Sequence, residues 1–220
     1  LPYDLHQITT HESTSIAAAL GHHLATGEIG CVYLQNSGLG NTVNPLISLA
    51  SKDVYSIPLL LIVGWRGEVN QKGEQLKDEP QHVHQGKITL EQLKVLDIPY
   101  KIIGSDDTDW ELKVDEIIKK SVNENRVTAI VFRKNTFESY TSSRSNKNFN
   151  NEFSKYNLSI TREEAIKEIA KFLPKNIPIF STTGMASREL YEFRKNNDQK
   201  PIDFYTVGGM GCASSIALGF

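Results

Sequence analysis

This sequence of 220 residues is short of several things, and each shortage excludes something. It has two cysteines, Cys31 and Cys212, far apart and in no CxxC pair, so neither a disulfide scaffold nor a thiolate metal knuckle is expected. A reducing cytoplasm is the matching compartment. Neither sign of charge is in excess: 24 Lys and Arg stand against 26 Asp and Glu, a formal net charge of -2. That balance argues against a nucleic-acid surface or a membrane surface as partner. No apolar run approaches the ~20 residues of a membrane-spanning helix. The chain opens Leu1-Pro2-Tyr3-Asp4, not with a basic leader. It also lacks an initiator Met, so residue 1 is not expected to be the natural start. GxSxG, HExxH and Walker patterns are absent. What remains is an ordinary globular composition, 39% hydrophobic and 23% charged, long enough for one large domain or two small ones.

Short apolar runs at 31–34, 58–63, 99–103 and 127–132 read as buried strands. Helical stretches at 9–27, 45–50, 89–96 and 109–122 alternate with them, and residues 78–86 read as a long polar loop. That alternation predicts an α/β domain with a mostly parallel sheet over 1–133, helices lying on both faces. Residues 134–158, rich in Ser, Asn, Thr and Lys, read as a polar linker. A second α/β unit is expected over 159–220. It opens with the capping box Thr161-Arg162-Glu163-Glu164, and Ala165, Ile166, Ile169, Ala170 and Leu173 follow on one helical face. Strands at 177–180 and 204–207 flank a helix at 187–195. The chain ends where a small-residue helix has just begun, so this second domain is expected to be incomplete.

Ligands of parallel sheets bind beyond the carboxyl ends of the strands, which directs the search to the turns after 34 and 63. Glu12 begins the first helix. Thr9-Thr10-His11-Glu12 has capping-box spacing, and a glutamate there also suits the helix dipole. The same place would hold a carboxylate rigidly enough to exchange a proton with a ring nitrogen. Gly208-Gly209-Met210-Gly211 and Thr182-Thr183-Gly184 lie between strand and helix, where backbone amides can meet phosphate. Tight strand-to-helix packing is the plainer account of both. Arg66 could clamp an anion and His82 could donate a proton. Both could equally be ordinary surface residues. His82-Val83-His84 has no carboxylate nearby to complete a metal site.

Taken together, several segments resemble the thiamine-diphosphate enzymes. Glu12 with residues 17–27, then Gln35-Asn36-Ser37-Gly38-Leu39-Gly40-Asn41, is similar to their pyrimidine-binding domain. Asp78-Glu79-Pro80-Gln81-His82 with Gln85-Gly86 resembles the phosphonopyruvate and sulfopyruvate decarboxylase branch, the phosphonopyruvate side being nearer. Residues 180–190 and Val207-Gly208-Gly209-Met210-Gly211 look like the start of the diphosphate-binding domain.

The resemblance implies thiamine diphosphate and Mg2+ as cofactors. Glu12 would bond N1′ of the aminopyrimidine, and Asn36, Ser37 and Gly38 would line that ring. Thr183, Gly184 and Met185 would lie along the diphosphate. The Gly208 carbonyl would accept from the 4′-amino group, Gly209 would sit beside it, and Met210 would support the bent cofactor. The implied substrate is a 2-oxo acid bearing a phosphonate, decarboxylated to an aldehyde by a cytoplasmic homodimer or higher homo-oligomer. Arg66 and His82 are its candidate anion contacts. Sulfopyruvate decarboxylation, or a non-catalytic subunit of the same fold, is the alternative. By this resemblance the first strand and helix of the pyrimidine-binding domain are expected to precede Leu1. The metal motif of the branch, a Gly-Asp-Gly and a later Asn pair, is absent, so no metal ligand is expected within 1–220.

Overall fold

The computed structural model describes residues 6–70, 72–139, 159–200 and 202–206, with 213 and 217. They fall into two compact units, Leu1–Tyr140 and Thr141–Phe220.

In the first unit, α1 runs Glu12–Thr26. Its N-cap is His11, whose side chain accepts from the Ser13 N–H, so the Thr9-to-Glu12 capping box does not form. Three successive alanines favour the helix. Gly27, at φ 77°, ends it by donating its N–H to the His23 carbonyl. Only Ile16 and Leu20 are buried, one turn apart on the face against the sheet. Strands β1 (Gly30–Gln35), β2 (Leu59–Gly64), β3 (Tyr100–Ile103) and β4 (Val127–Phe132) form one parallel sheet in the order β1-β2-β4-β3. Leu59 pairs with both Gly30 and Val127, and Tyr100 pairs with Ala129.

The two central strands are the most apolar, because both their faces are covered. Leu59, Leu61 and Val63 join Ile16, Leu20, Leu39 and Leu93 in one core. Leu60, from the opposite face of β2, joins Ile103, Ile117 and Ile130 in another. Each such side chain contributes about 1.5–3 kcal/mol by leaving water. Helix α4 (Trp110–Asn123) thus covers one face, and α1 with α3 (Pro80–Val95) the other, as the alternation predicted.

Two expectations are corrected. Residues 78–86 are not a loop throughout: α3 runs Pro80–Val95, with Pro80 in its first turn, so His82 and His84 are helical. The buried face of α3 is His82, Gly86, Thr89 and Leu93, a stripe too polar for hydropathy to reveal. The helix expected at 45–50 is present but is not one α-helix, and the glycine turn expected before it is itself helical. A 3-10 segment, Asn36–Thr42, leads through a single turn, α2 (Val43–Pro45), to a π-helical run, Leu46–Ala50. Two glycines and a proline prevent one α-helical ladder from running through.

In the second unit, α5 (Arg162–Phe172) starts with the expected capping box, both of its reciprocal bonds present. Of its apolar face only Ala170 is buried, and Ile169 remains exposed. Strands β5 (Phe180–Ser181) and β6 (Phe204–Tyr205) pair in parallel, with α6 (Met185–Asn196) between them in sequence. A buried ion pair ties these together: Arg194 donates to Asp203 from Nε at 2.7 Å, and the Ile179 N–H donates to the same carboxylate. Burial, then the Asp203 charge, push the Tyr205 hydroxyl up to about 12. Residues 134–139 bond back onto the first unit, the Lys134 N–H donating to Glu68 and the Thr136 hydroxyl to the Arg133 carbonyl.

Candidate functional site

The first unit concentrates its expected site residues at the carboxyl ends of β1 and β2. As the chain leaves β1, Asn36 turns inward and is buried. Its Nδ2 donates to the Arg66 carbonyl and to Thr89 Oγ1, each at 2.9 Å, and its Oδ1 accepts from the Arg66 N–H at 3.1 Å. One side chain thereby joins the turn after β1, the turn after β2 and helix α3. All three of these bonds are within the protein, so Asn36 shapes the rim of the site. Ser37 remains partly exposed, donating to Gln35 Oε1 at 2.7 Å.

Gly38 follows, and here Glu12 arrives from α1. A Cβ on Gly38 would lie 2.5 Å from Glu12 Oε1 and 2.6 Å from its Cγ, so only glycine lets the glutamate lie across this backbone. Asn41 Nδ2 donates to Glu12 Oε2 at 2.9 Å. Ser13, the next residue of α1, donates from Oγ to the Asn41 carbonyl at 2.6 Å. Among the described residues Glu12 Oε1 has no hydrogen-bond partner. The carboxylate is therefore held at one oxygen and presented at the other, which is what proton exchange with a ring nitrogen requires. The glycine cradle and the half-bonded carboxylate fit the pyrimidine end of thiamine diphosphate.

The neighbouring turn is arranged differently. Arg66 donates from Nε to Asp78 Oδ2 at 2.8 Å and from Nη2 to Oδ1, a bidentate pair. The Gly67 N–H also donates to Asp78 Oδ2, and the Glu79 N–H to Oδ1. The hydrogen bond from Arg66, then the backbone donors, hold the Asp78 carboxyl well below the usual carboxylate range. His82 is buried in the first turn of α3. Burial, then the Arg66 charge, lower its pKa, so the neutral ring is favoured. His82 Nδ1, Gln81 Oε1 and Gln85 Oε1 are buried and, among the described residues, have no hydrogen-bond partner. Trp65 Nε1 donates to the Gly86 carbonyl at 2.8 Å, fastening this turn to α3.

In the second unit, Gly184 is the N-cap of α6, at φ 91° and ψ -141°, a conformation open essentially to glycine alone. Ser187 Oγ donates to the Thr182 carbonyl at 2.6 Å, bracing that turn. Thr183 lies in the turn, and Met185, exposed, opens the helix. The start of a helix of this length offers free amides to an anion. Gly208, Gly209 and Met210 lie outside the described residues. Among the described residues no three His, Cys, Asp or Glu side chains gather as a metal site, and no helix is long and apolar enough to cross a membrane.

Sequence reasoning assigned no role to Asn41, Thr89 or Asp78. Asn41 ends the glycine turn that was singled out, but its partner lies 29 residues earlier, a separation no local period exposes.

Comparison with known proteins bears on the same region. Residues 6–93 match the family described as thiamine pyrophosphate enzyme, N-terminal TPP binding domain, and so include Glu12, Gly38, Asn41, Arg66 and His82. The chain is 33% identical to a phosphonopyruvate decarboxylase of Streptomyces viridochromogenes, over 96% of this chain and 52% of that protein. It is 30% identical to a phosphonopyruvate decarboxylase of Streptomyces hygroscopicus, over 96% of this chain and 51% of that protein. It thus spans about half the length of both. It is also 30% identical to a sulfopyruvate decarboxylase subunit alpha of Methanococcus maripaludis, over 57% of this chain and 70% of that protein. The chain therefore belongs to the thiamine pyrophosphate enzyme family, in the branch that includes phosphonopyruvate decarboxylase and sulfopyruvate decarboxylase.

Proposed function

We propose that the protein is a thiamine-diphosphate-dependent 2-oxo-acid decarboxylase that converts 3-phosphonopyruvate to phosphonoacetaldehyde and CO2, a carbon-carbon lyase of phosphonate biosynthesis. The observation that carries this reading is the Glu12 carboxylate on the Gly38 backbone, bonded at Oε2 by Asn41 and, among the described residues, unbonded at Oε1. When bound, thiamine diphosphate supplies the electron sink that lets CO2 leave a 2-oxo acid. The chain's own residues orient it. Glu12 holds a proton at the pyrimidine ring nitrogen, and Ser37 and Gly38 line that ring. Asn36 fixes the turn that carries them. Thr183, Gly184 and Met185 hold the diphosphate at the start of α6, and Gly208, Gly209 and Met210 complete the cofactor contacts. Mg2+ accompanies the diphosphate. Arg66 and His82 are the proposed contacts for the substrate anion. Asp78 already occupies one edge of the Arg66 guanidinium, so its remaining donors would serve. The working unit is a homodimer or higher homo-oligomer in the cytoplasm.

Sulfopyruvate is the second reading, favoured by the similarity to the sulfopyruvate decarboxylase subunit alpha. One assay separates them. The full-length protein, with thiamine diphosphate and Mg2+, is given phosphonopyruvate, sulfopyruvate or pyruvate, and CO2 is followed. Release is expected from phosphonopyruvate foremost, and no release from any of the three would sink the enzyme reading. The Glu12→Gln variant should keep the fold and lose about 100-fold or more in exchange of the cofactor C2 proton. Exchange at the wild-type rate would remove Glu12 from its role.

A further inference from the structure

The contact that recommends Glu12 also raises a question. A glutamate in the first turn of a helix has three rotatable bonds, and left alone it would sample water-facing rotamers. Two features oppose that here. The Gly38 backbone forms a wall on one side, close enough that a Cβ would meet Glu12 Oε1 at 2.5 Å. The Asn41 amide donates to Oε2 at 2.9 Å on the other. Asn41 is itself anchored by an independent bond, Ser13 Oγ donating to its main-chain carbonyl at 2.6 Å. The side-chain and main-chain groups of Asn41 thus grip two successive residues of α1.

We propose that Asn41 is a positioning residue for the proposed chemistry: it occupies Glu12 Oε2, and so selects Oε1 as the oxygen that exchanges a proton with the cofactor. This rests on the reading of Glu12 given above. The choice of an amide has a reason. A cationic donor would hold the carboxylate in its charged form, as Arg66 does for Asp78. An amide supplies a directed hydrogen bond with no net charge, so the carboxylate is oriented without a cation beside it.

The test has a part that needs no cofactor. In the cofactor-free full-length protein, labelled with 15N, the Asn41 side-chain NH2 resonances should move on Glu12→Gln, because a charged acceptor becomes a neutral one. Resonances that stay in place would overturn the proposal. In the protein loaded with thiamine diphosphate and Mg2+, Asn41→Ala should slow C2-proton exchange by about tenfold, the worth of a hydrogen bond to a charged group. Asn41→Asp, nearly the same shape, should slow it further, because it replaces the donor with a like charge. Cofactor affinity should stay within about twofold in both, since the lost contact orients the carboxylate and does not hold the cofactor. Ser13→Ala probes the main-chain anchor separately. If Glu12→Gln abolishes exchange while Asn41→Ala and Asn41→Asp retain the wild-type rate, the positioning role is overturned and the reading of Glu12 stands. If Glu12→Gln itself retains exchange, that reading fails and this inference with it.

Discussion

Two adjacent turns, each at the carboxyl end of a strand, treat their charged groups in opposite ways. After β1, Glu12 is bonded at one oxygen by a neutral amide and rests on a glycine. After β2, Asp78 is bonded at both oxygens, by a guanidinium and by two backbone N–H groups. The first arrangement bonds one carboxylate oxygen and, among the described residues, leaves the other without a partner. The second fixes an ion pair and uses it to shape a loop against α3. The lesson is that a charged residue near the end of a strand is informative only with its partners: both Glu12 and Arg66 were candidate site residues in the sequence, and the structure shows Arg66 in a bidentate pair that Glu12 lacks.

The largest expected contrast comes from one substitution made at both places. Gly86→Ala would set a Cβ 1.8 Å from the Gly67 carbonyl oxygen and 2.8 Å from that of Arg66, main-chain atoms with little room to withdraw. It should cost about 3 kcal/mol in denaturant unfolding. For Gly38→Ala the three nearest atoms all belong to the Glu12 side chain, which can swing aside. Unfolding should then change by less than about 1 kcal/mol while C2-proton exchange is lost. Equal destabilisation at the two glycines would break the comparison.

A middle-sized effect is expected at Asp78. Asp78→Asn should cost about 1 kcal/mol, because Arg66 is partly exposed and water replaces some of what is lost. The pH dependence has a definite sign. The folded-state pKa of Asp78 is lowered, so its contribution is complete above about pH 3.9 and is lost as pH falls through the folded value. His82 titrates at higher pH. Its folded-state pKa is also lowered, so below about pH 6.5 the unfolded chain binds more protons and stability falls until the folded value is passed. His82→Gln should flatten the slope of stability just below pH 6.5, measured by denaturant midpoints across pH. A slope unchanged in that variant would place its origin elsewhere. The smallest effect belongs to the bidentate pair of exposed Arg162 with half-buried Glu189, at 2.9 and 2.6 Å. Arg162→Ala should cost less than about 0.5 kcal/mol in denaturant unfolding, because the guanidinium faces water.

How much was legible follows from the range of each signal. β4 was read to the residue, since a fully buried strand is a continuous apolar run. The capping box of α5 was read directly, because its partners lie three residues apart. The beginning of α3 was missed because its buried face carries His82, Gly86 and Thr89, and its polarity mimics a loop. The 3-10 form of Asn36–Thr42 and the π form of Leu46–Ala50 were not foreseen, because glycine and proline spoil the helical period without saying what replaces it. Within the site, Glu12, Asn36 and Gly38 were singled out by resemblance. Asn41 acquired its role only through contact with Glu12.

By itself the sequence determined the alternation of strands and helices and the chemical groups available to the site, because these depend on hydropathy period and residue type over short stretches. Tertiary structure decided which of those groups are bonded to one another. Glu12 and Asn41 lie 29 residues apart, and Asn36 and Thr89 lie 53 apart. Only the packing of α1, the turns and α3 at the sheet's carboxyl edge brings such groups within hydrogen-bond distance. A hydrogen bond acts over about 3 Å of space and is indifferent to separation along the chain.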